Sequence, residues 1–335
     1  MTFGSSVIRN YLSTFIACAV LGFSTNSYAD ELNTVKVAMV NFVGDATLYY
    51  AYREGYFIDE GLDIELVHNS AGVESMKQVI AGEVHIGTVA PTPIVYLAQG
   101  RISLPNDIRI VANIYRSSNL NSLVILDSEQ NPDPASLVGK KLGLQQQTAA
   151  EYFWYRVTVA NNINPDDIEI VNIPTRNLAQ ASQQGLIDAA IVWSPFHLDV
   201  YKAVKTKPKV IRGTTYATEG WYVVTHPDFL EQHPQIVEKY LSALKRAEQD
   251  IRSNPDKVAL YHSEIVDSSP EELSELYGDI SFSLNLAESD LFHLEQQGKW
   301  AYRVGYVDQA PIDYRQYVET GPLSKVSPDS IKLLE

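Results

Sequence analysis

The chain has 335 residues, 45% of them hydrophobic, and a formal net charge of −15. This length and apolar content suit two domains of ordinary size and exclude a disordered chain. The acidic balance lacks the basic face of a nucleic-acid binder, so no nucleic-acid partner is expected, and it reads as a solubilising surface rather than the mark of a cationic substrate.

Residues 1–29 read as an export signal. Arg9 is the only charge before Asp30, and Tyr11 to Phe23 is a mainly apolar run of about 13 residues, too short to span a bilayer. Ser27-Tyr28-Ala29 places small residues where a signal peptidase reads, so cleavage is expected after Ala29, with delivery to the periplasm. The single cysteine, Cys18, lies inside this segment. It is either a lipid-attachment site or, since apolar residues continue through Phe23, a small residue of the signal core. A mature chain without cysteine has no disulfide, thiolate metal site or cysteine nucleophile.

Thr34–Val40 alternates and is β-branched, which predicts a strand, and Asn41 to Gly44 is a loop. Asp45 is a good N-cap for a helix through Leu48 to Phe57 that closes near Gly55 or Gly61. Ile64–Val67 is a second strand. Val73, Met76, Val79 and Ile80 have helical spacing up to Gly82, and Val84–Val89 is a third strand. Pro91 to Gly100 is a helix with proline in its first turn. Alternation of this kind predicts a mostly parallel sheet covered by helices, with ligand-facing loops at the carboxyl ends of its strands.

The order then repeats about 103 residues later. Leu62-Asp63-Ile64-Glu65-Leu66-Val67 is answered by Asp166-Asp167-Ile168-Glu169-Ile170-Val171, and the Gly82–Val89 stretch by Gly185–Val192. The second unit comprises strands at Lys141–Leu144, Ile168–Ile173 and Ala189–Trp193. Its helices are capped by Thr148 and Asn177 or opened by Pro195. Thr148 and Glu151 have capping-box spacing. Ser122–Leu126 and Trp221–Thr225 flank this unit and read as paired crossover strands forming a hinge. Helices follow at 234–252, 255–266, 270–280 and 288–302, expected to pack on the first lobe. The predicted organisation is one lobe from 30–121 plus 226–335 and a second from 122–225.

Two similar lobes imply a cleft, where small ligands sit. The candidate contacts are Asn41, Phe42, Asp45, Ser70, Gly72, Pro91 and Thr92 in the first lobe. In the second they are Gln146, Thr148, Glu151, Trp193 and Phe196, with Glu219 and Trp221 near the return crossover. Most stand at helix N-termini, whose free N–H groups can hold a sulfonate, nitrate or carboxylate. Phe42, Trp193 and Trp221 can pack on an apolar stem or a quaternary ammonium. Each also has a plainer reading. Asp45 and Thr148 can be caps alone, Glu151 a capping-box partner, Trp193 a core residue, and Gly72 the permit for a tight turn. If Glu151 or Glu219 faces the cleft, it suits an amine. The seven histidines form no His-x-x-x-His pair, and no Gly-x-Ser-x-Gly, phosphate-cradling loop or Gly-x-Gly-x-x-Gly occurs. No catalytic residue, metal or cofactor is expected.

Several segments carry a family resemblance. Glu54 to Leu66, Ala81 to Gly87, Val138 to Gly143, Gly185 to Ala189 with Val192 to Pro195, and His226 to Pro234 resemble, in order, segments of the periplasmic nitrate/sulfonate/taurine-binding family. Val192-Trp193-Ser194-Pro195 and the stretch from Gln297 to Val318 look most like its taurine-binding branch. The resemblance implies a two-lobed α/β periplasmic binding protein of type II, with two hinge strands. Such a protein closes on a small organic anion or zwitterion and delivers it, as a monomer, to an ABC transporter membrane permease. His85 replaces an aspartate of the family pattern, and Glu151 stands where sulfonate binders carry histidine, an acceptor in place of a donor. The resemblance extends to pyrimidine-precursor synthases of thiamine biosynthesis, which carry a cysteine-rich iron motif that this chain lacks. A periplasmic solute sensor is the third reading.

Overall fold

The computed structural model describes residues 34–105, 107–127, 133–213 and 218–334. The expected export segment, with Cys18 and the cleavage point after Ala29, lies outside them.

The first lobe begins with β1 (Val35–Val40), α1 (Ala46–Arg53) and α2 (Tyr56–Asp59). It continues with β2 (Ile64–Asn69), α3 (Gly72–Ile80), β3 (Ile86–Val89), α4 (Pro91–Ala98) and β4 (Arg109–Ser117). The second lobe holds β5 (Asn121–Ile125), β6 (Lys141–Leu144), α5 (Ala149–Ala160), β7 (Glu169–Asn172), α6 (Leu178–Gln183), β8 (Ala189–Trp193), α7 (Phe196–Ala203) and β9 (Lys209–Arg212). The chain returns through β10 (Glu219–Thr225) to α8 (Pro227–Gln232), α9 (Pro234–Ser253), α10 (Pro255–His262) and α11 (Pro270–Tyr277). It ends with β11 (Ser281–Ala287), α12 (Glu288–Arg303), α13 (Gly321–Val326) and β12 (Ile331–Lys332).

These strands form two separate sheets, a seven-stranded one ordered β12-β11-β4-β10-β3-β1-β2 and a five-stranded one ordered β7-β6-β8-β5-β9. The repeat read in the sequence is the shared part of that order. β2-β1-β3 and β7-β6-β8 are matching parallel trios. Gly82 and Gly185 occupy equivalent turns after α3 and α6, with φ of +71° and +69°, a left-handed backbone that a side chain would strain.

One expectation is corrected. Ser122–Leu126 and Trp221–Thr225 do not pair with each other. β5 joins the second sheet, antiparallel to β8 and β9, whereas β10 joins the first, antiparallel to β3 and β4. Each lobe therefore closes its parallel trio with a strand adjoining a crossover, and the return strand sits in the first lobe's sheet rather than in the second lobe. The physical reason is burial. All seven residues of β10 are buried, so both faces need covering, and the middle of the wide sheet supplies that.

The second lobe shows how its alternating strands specify a doubly covered sheet. Leu123, Ile125, Ala189 and Ile191 point into one apolar layer with Phe153, Trp154 and Val157 of α5. Their neighbours Val124, Leu126, Ala190 and Val192 point into the other with Leu178 and Val200 of α6 and α7. The C-terminal helices do pack on the first lobe, α9 against α1 and α12 against α4. Proline opens α8, α9, α10 and α11, where its missing N–H has no intrahelical partner to lose. No described helix is long and apolar enough to cross a membrane.

Candidate functional site

The carboxyl ends of the two parallel trios face a shared, narrow cavity that is partly open to solvent. Phe42 follows β1, Gly72 opens α3, Thr148 caps α5, Trp193 ends β8, and Glu219 and Trp221 start β10; all six line the cavity. The walls thus come from both lobes, at the strand ends where open α/β sheets place ligands.

An aromatic wall is built first. Trp221 packs edge-on against Phe42, with ring centres 4.5 Å apart, and stacks on Tyr115 at 6.4 Å. Gly72 makes this approach feasible. A Cβ there would lie 2.7 Å from Trp221 Cη2 and 2.8 Å from Val89 Cα.

Asp45 holds the wall from behind. Its side chain does not cap α1. It turns inward, fully buried, and accepts hydrogen bonds from Trp221 Nε1 (2.8 Å), Thr88 Oγ1 (2.9 Å) and the Val40 backbone N–H (2.7 Å). Burial pushes its pKa up to about 7, against the downward pull of these three donors. Asp45 therefore orients Trp221 and does not itself line the cavity.

On the opposite side, Thr148 is a true cap. Its hydroxyl oxygen accepts from the Ala150 N–H at 3.3 Å and its O–H donates to the Gln145 carbonyl at 2.6 Å. The capping box with Glu151 does not form, a second correction. Glu151 instead accepts a two-pronged ion pair from Arg101 of the first lobe, at 2.9 and 3.0 Å. It also accepts from the Tyr96 hydroxyl at 2.8 Å and from the Gln147 N–H at 2.9 Å. The forked guanidinium and the Tyr96 hydroxyl turn the carboxylate toward the first lobe rather than back to the Thr148 N–H. Arg101 lies over the Tyr96 and Tyr306 rings, 4.2 and 4.4 Å from their centres. Beside it, Trp300 of α12 packs on Tyr152 and Tyr155 of α5, so the two lobes meet along a second, aromatic seam.

Glu219 is different. It is 4% exposed, and among the described residues neither carboxyl oxygen has a hydrogen-bond partner. Burial pushes its pKa up to about 8. Among the described residues that line the cavity there is no Lys, Arg or His.

The remaining expected contacts lie outside the lining. Asn41 bonds His68 at 2.6 Å, Ser70 bonds Glu74, and the buried Thr92 donates to Gln297 at 2.7 Å. Pro91 is buried at the start of α4, Gln146 is exposed with its N–H on Asn172, and Phe196 packs edge-on against Trp193 from α7. Sequence reasoning missed Tyr115 and Asn121, on strands β4 and β5. Tyr115 lies in 109–117, where seven of nine residues are buried, with no turn signal and no clean alternation.

Residues 44–258 match the family profile described as NMT1/THI5 like. The taurine-binding periplasmic protein of Escherichia coli K12 is 24% identical over 286 residues, covering 81% of this chain and 82% of that protein. A 4-amino-5-hydroxymethyl-2-methylpyrimidine phosphate synthase of Saccharomyces cerevisiae, THI13, is 25% identical over 285 residues, covering 81% of each chain. Among solved structures, the alkanesulfonate-binding protein SsuA of Xanthomonas axonopodis pv. citri, bound to MOPS, superposes with a TM-score of 0.74. That match has 13% identity and covers 86% of this chain and 98% of that one, a likeness of fold.

Proposed function

Because this chain belongs to the NMT1/THI5-like family, we propose that it is the solute-capturing component of an ABC importer, closing two lobes on a small organic solute and handing it to a membrane permease. The single observation that carries this reading is the cavity itself, walled by Phe42, Gly72, Glu219 and Trp221 of the first lobe and by Thr148 and Trp193 of the second. A solute touching both walls stabilises the closed form over the open one, which is all that hinge closure requires. The taurine-binding relative supports a ligand of taurine's size and polarity. The first turns of α3 and α5 border the cavity, and their N–H groups suit the anionic end of a zwitterion. The apolar rings suit its carbon stem.

The family also contains synthases. A binder and an enzyme differ in what becomes of the ligand. A thermal-shift screen of small sulfonates, amino acids, betaines and aminopyrimidines against the purified mature protein should yield at least one compound that raises the melting temperature with its concentration. Mass spectrometry should recover that compound unchanged. A panel with no stabilising compound, or a compound converted on incubation, contradicts the reading.

A further inference from the structure

We infer that the cleft selects solutes carrying a nitrogen that donates hydrogen bonds to Glu219, a protonated amine or an amino-substituted ring, and turns away anions that lack one. The inference rests on the solute-binding reading above and specifies which solutes are bound.

The argument is one of unsatisfied chemistry. A buried carboxyl group with neither oxygen hydrogen-bonded is expensive to keep, and native proteins keep such groups where something else completes them. Three carboxylates around the cleft are buried. Asp45 receives three donors, Glu151 receives a guanidinium, a hydroxyl and an N–H, and Glu219 receives none from the described residues. Of the three, only Glu219 lines the cavity. No lysine, arginine or histidine among the described lining residues can serve as its counter-ion or as an anion's partner. A solute N–H donor satisfies the carboxylate. If the nitrogen is cationic, it also supplies the missing charge, and the aromatic rings of Phe42, Trp193 and Trp221 line the same space. A plain anion meets the reverse situation. With Glu219 ionised, the anion's charge adds to that of the carboxylate, and only helix N-termini offset both.

Matched pairs test this directly. Isothermal titration of the wild-type mature chain is run with 2-aminoethanesulfonate against ethanesulfonate, 4-aminobutyrate against butyrate, and 4-aminopyrimidine against pyrimidine. In at least one pair the amino compound should bind about 100-fold tighter or more, because a site built to accept a hydrogen bond penalises the analogue that cannot donate it. Glu219→Gln should reduce that preference to less than about 10-fold, and Glu219→Asp should retain part of it. Equal binding within every pair, tighter binding of the amine-free member, or a preference that survives Glu219→Gln overturns the inference. So does a chain that binds no member of any pair. The broader thermal-shift panel then distinguishes the two failures, since a hit there on an amine-free solute leaves the solute-binding reading standing and removes only this one.

Discussion

Two glutamates are buried side by side in function but opposite in circumstance. Glu151 is saturated: Arg101, Tyr96 and the Gln147 N–H take both its oxygens. Glu219 is empty-handed at 4% exposure. The first joins one lobe to the other through a fixed internal partner, so it explains how the lobes are held together without any guest. The second has no internal partner among the described residues, so on the proposal above it is the group a guest completes. A buried charge that is already satisfied reports on architecture, and one left unsatisfied reports on recognition.

Breaking the saturated side should produce the largest effect. Arg101→Ala leaves the Glu151 carboxylate without its counter-ion, a loss of about 3 kcal/mol for a buried pair. The lobes can escape part of that by parting and hydrating Glu151. The expected result is therefore a larger radius of gyration in small-angle scattering together with a lower urea midpoint. Pairing it with Glu151→Gln should recover part of the loss, because the orphaned charge is then gone. An unchanged radius and midpoint would mean that this ion pair does not hold the lobes.

Neutralising the empty side should act in the opposite direction. Glu219 titrates near 8 in the fold against a reference of 4.5. A group whose folded pKa is raised lends its full stability below the unfolded pKa and loses it as pH rises through the folded one, here across pH 4.5 to 8. Glu219→Gln should therefore leave the ligand-free protein about as stable as wild type at pH 4.5. At pH 8.5 it should be more stable by roughly 2–3 kcal/mol, allowing for water entry. Urea midpoints at the two pH values check the sign. A variant less stable than wild type at pH 8.5 would mean that Glu219 has a partner after all.

Two smaller perturbations sharpen the contrast between the walls. Gly72→Ala puts a methyl group against Trp221 and the Val89 backbone, and should cost about 1–3 kcal/mol of stability by overpacking while displacing Trp221 into the cavity. Titration calorimetry should show the accompanying loss of affinity for any bound solute. Thr148→Ala removes a helix cap and a hydroxyl from the cavity lining, and should cost about 1 kcal/mol by urea unfolding.

Much of this arrangement was legible in the sequence because its signals are local. The parallel trios follow from apolar runs separated by capped helices. The left-handed glycines Gly82 and Gly185 mark the same turn in each repeat. Phe42, Gly72, Thr148 and Trp193 are legible because they stand at strand ends or helix starts, and Glu219 and Trp221 because they stand near the return crossover. What escaped is what depends on distant partners. β4, β9 and β11 are strands only because a neighbouring strand receives them. Asp45 and Glu151 looked like cap residues because capping is judged within a few positions, whereas Trp221 and Arg101, which claim them, stand 176 and 50 residues away. The crossover strands were located but assigned to each other. Pairing between sheets is a tertiary choice that two apolar segments cannot express.

The most direct test is a crystal structure of the mature protein with the tightest solute found in the paired titrations. The account predicts that solute between Phe42, Trp193 and Trp221, with a nitrogen at hydrogen-bonding distance from a Glu219 oxygen and the Arg101–Glu151 pair intact. A solute bound elsewhere, or in that cavity with Glu219 still unpartnered, would contradict it.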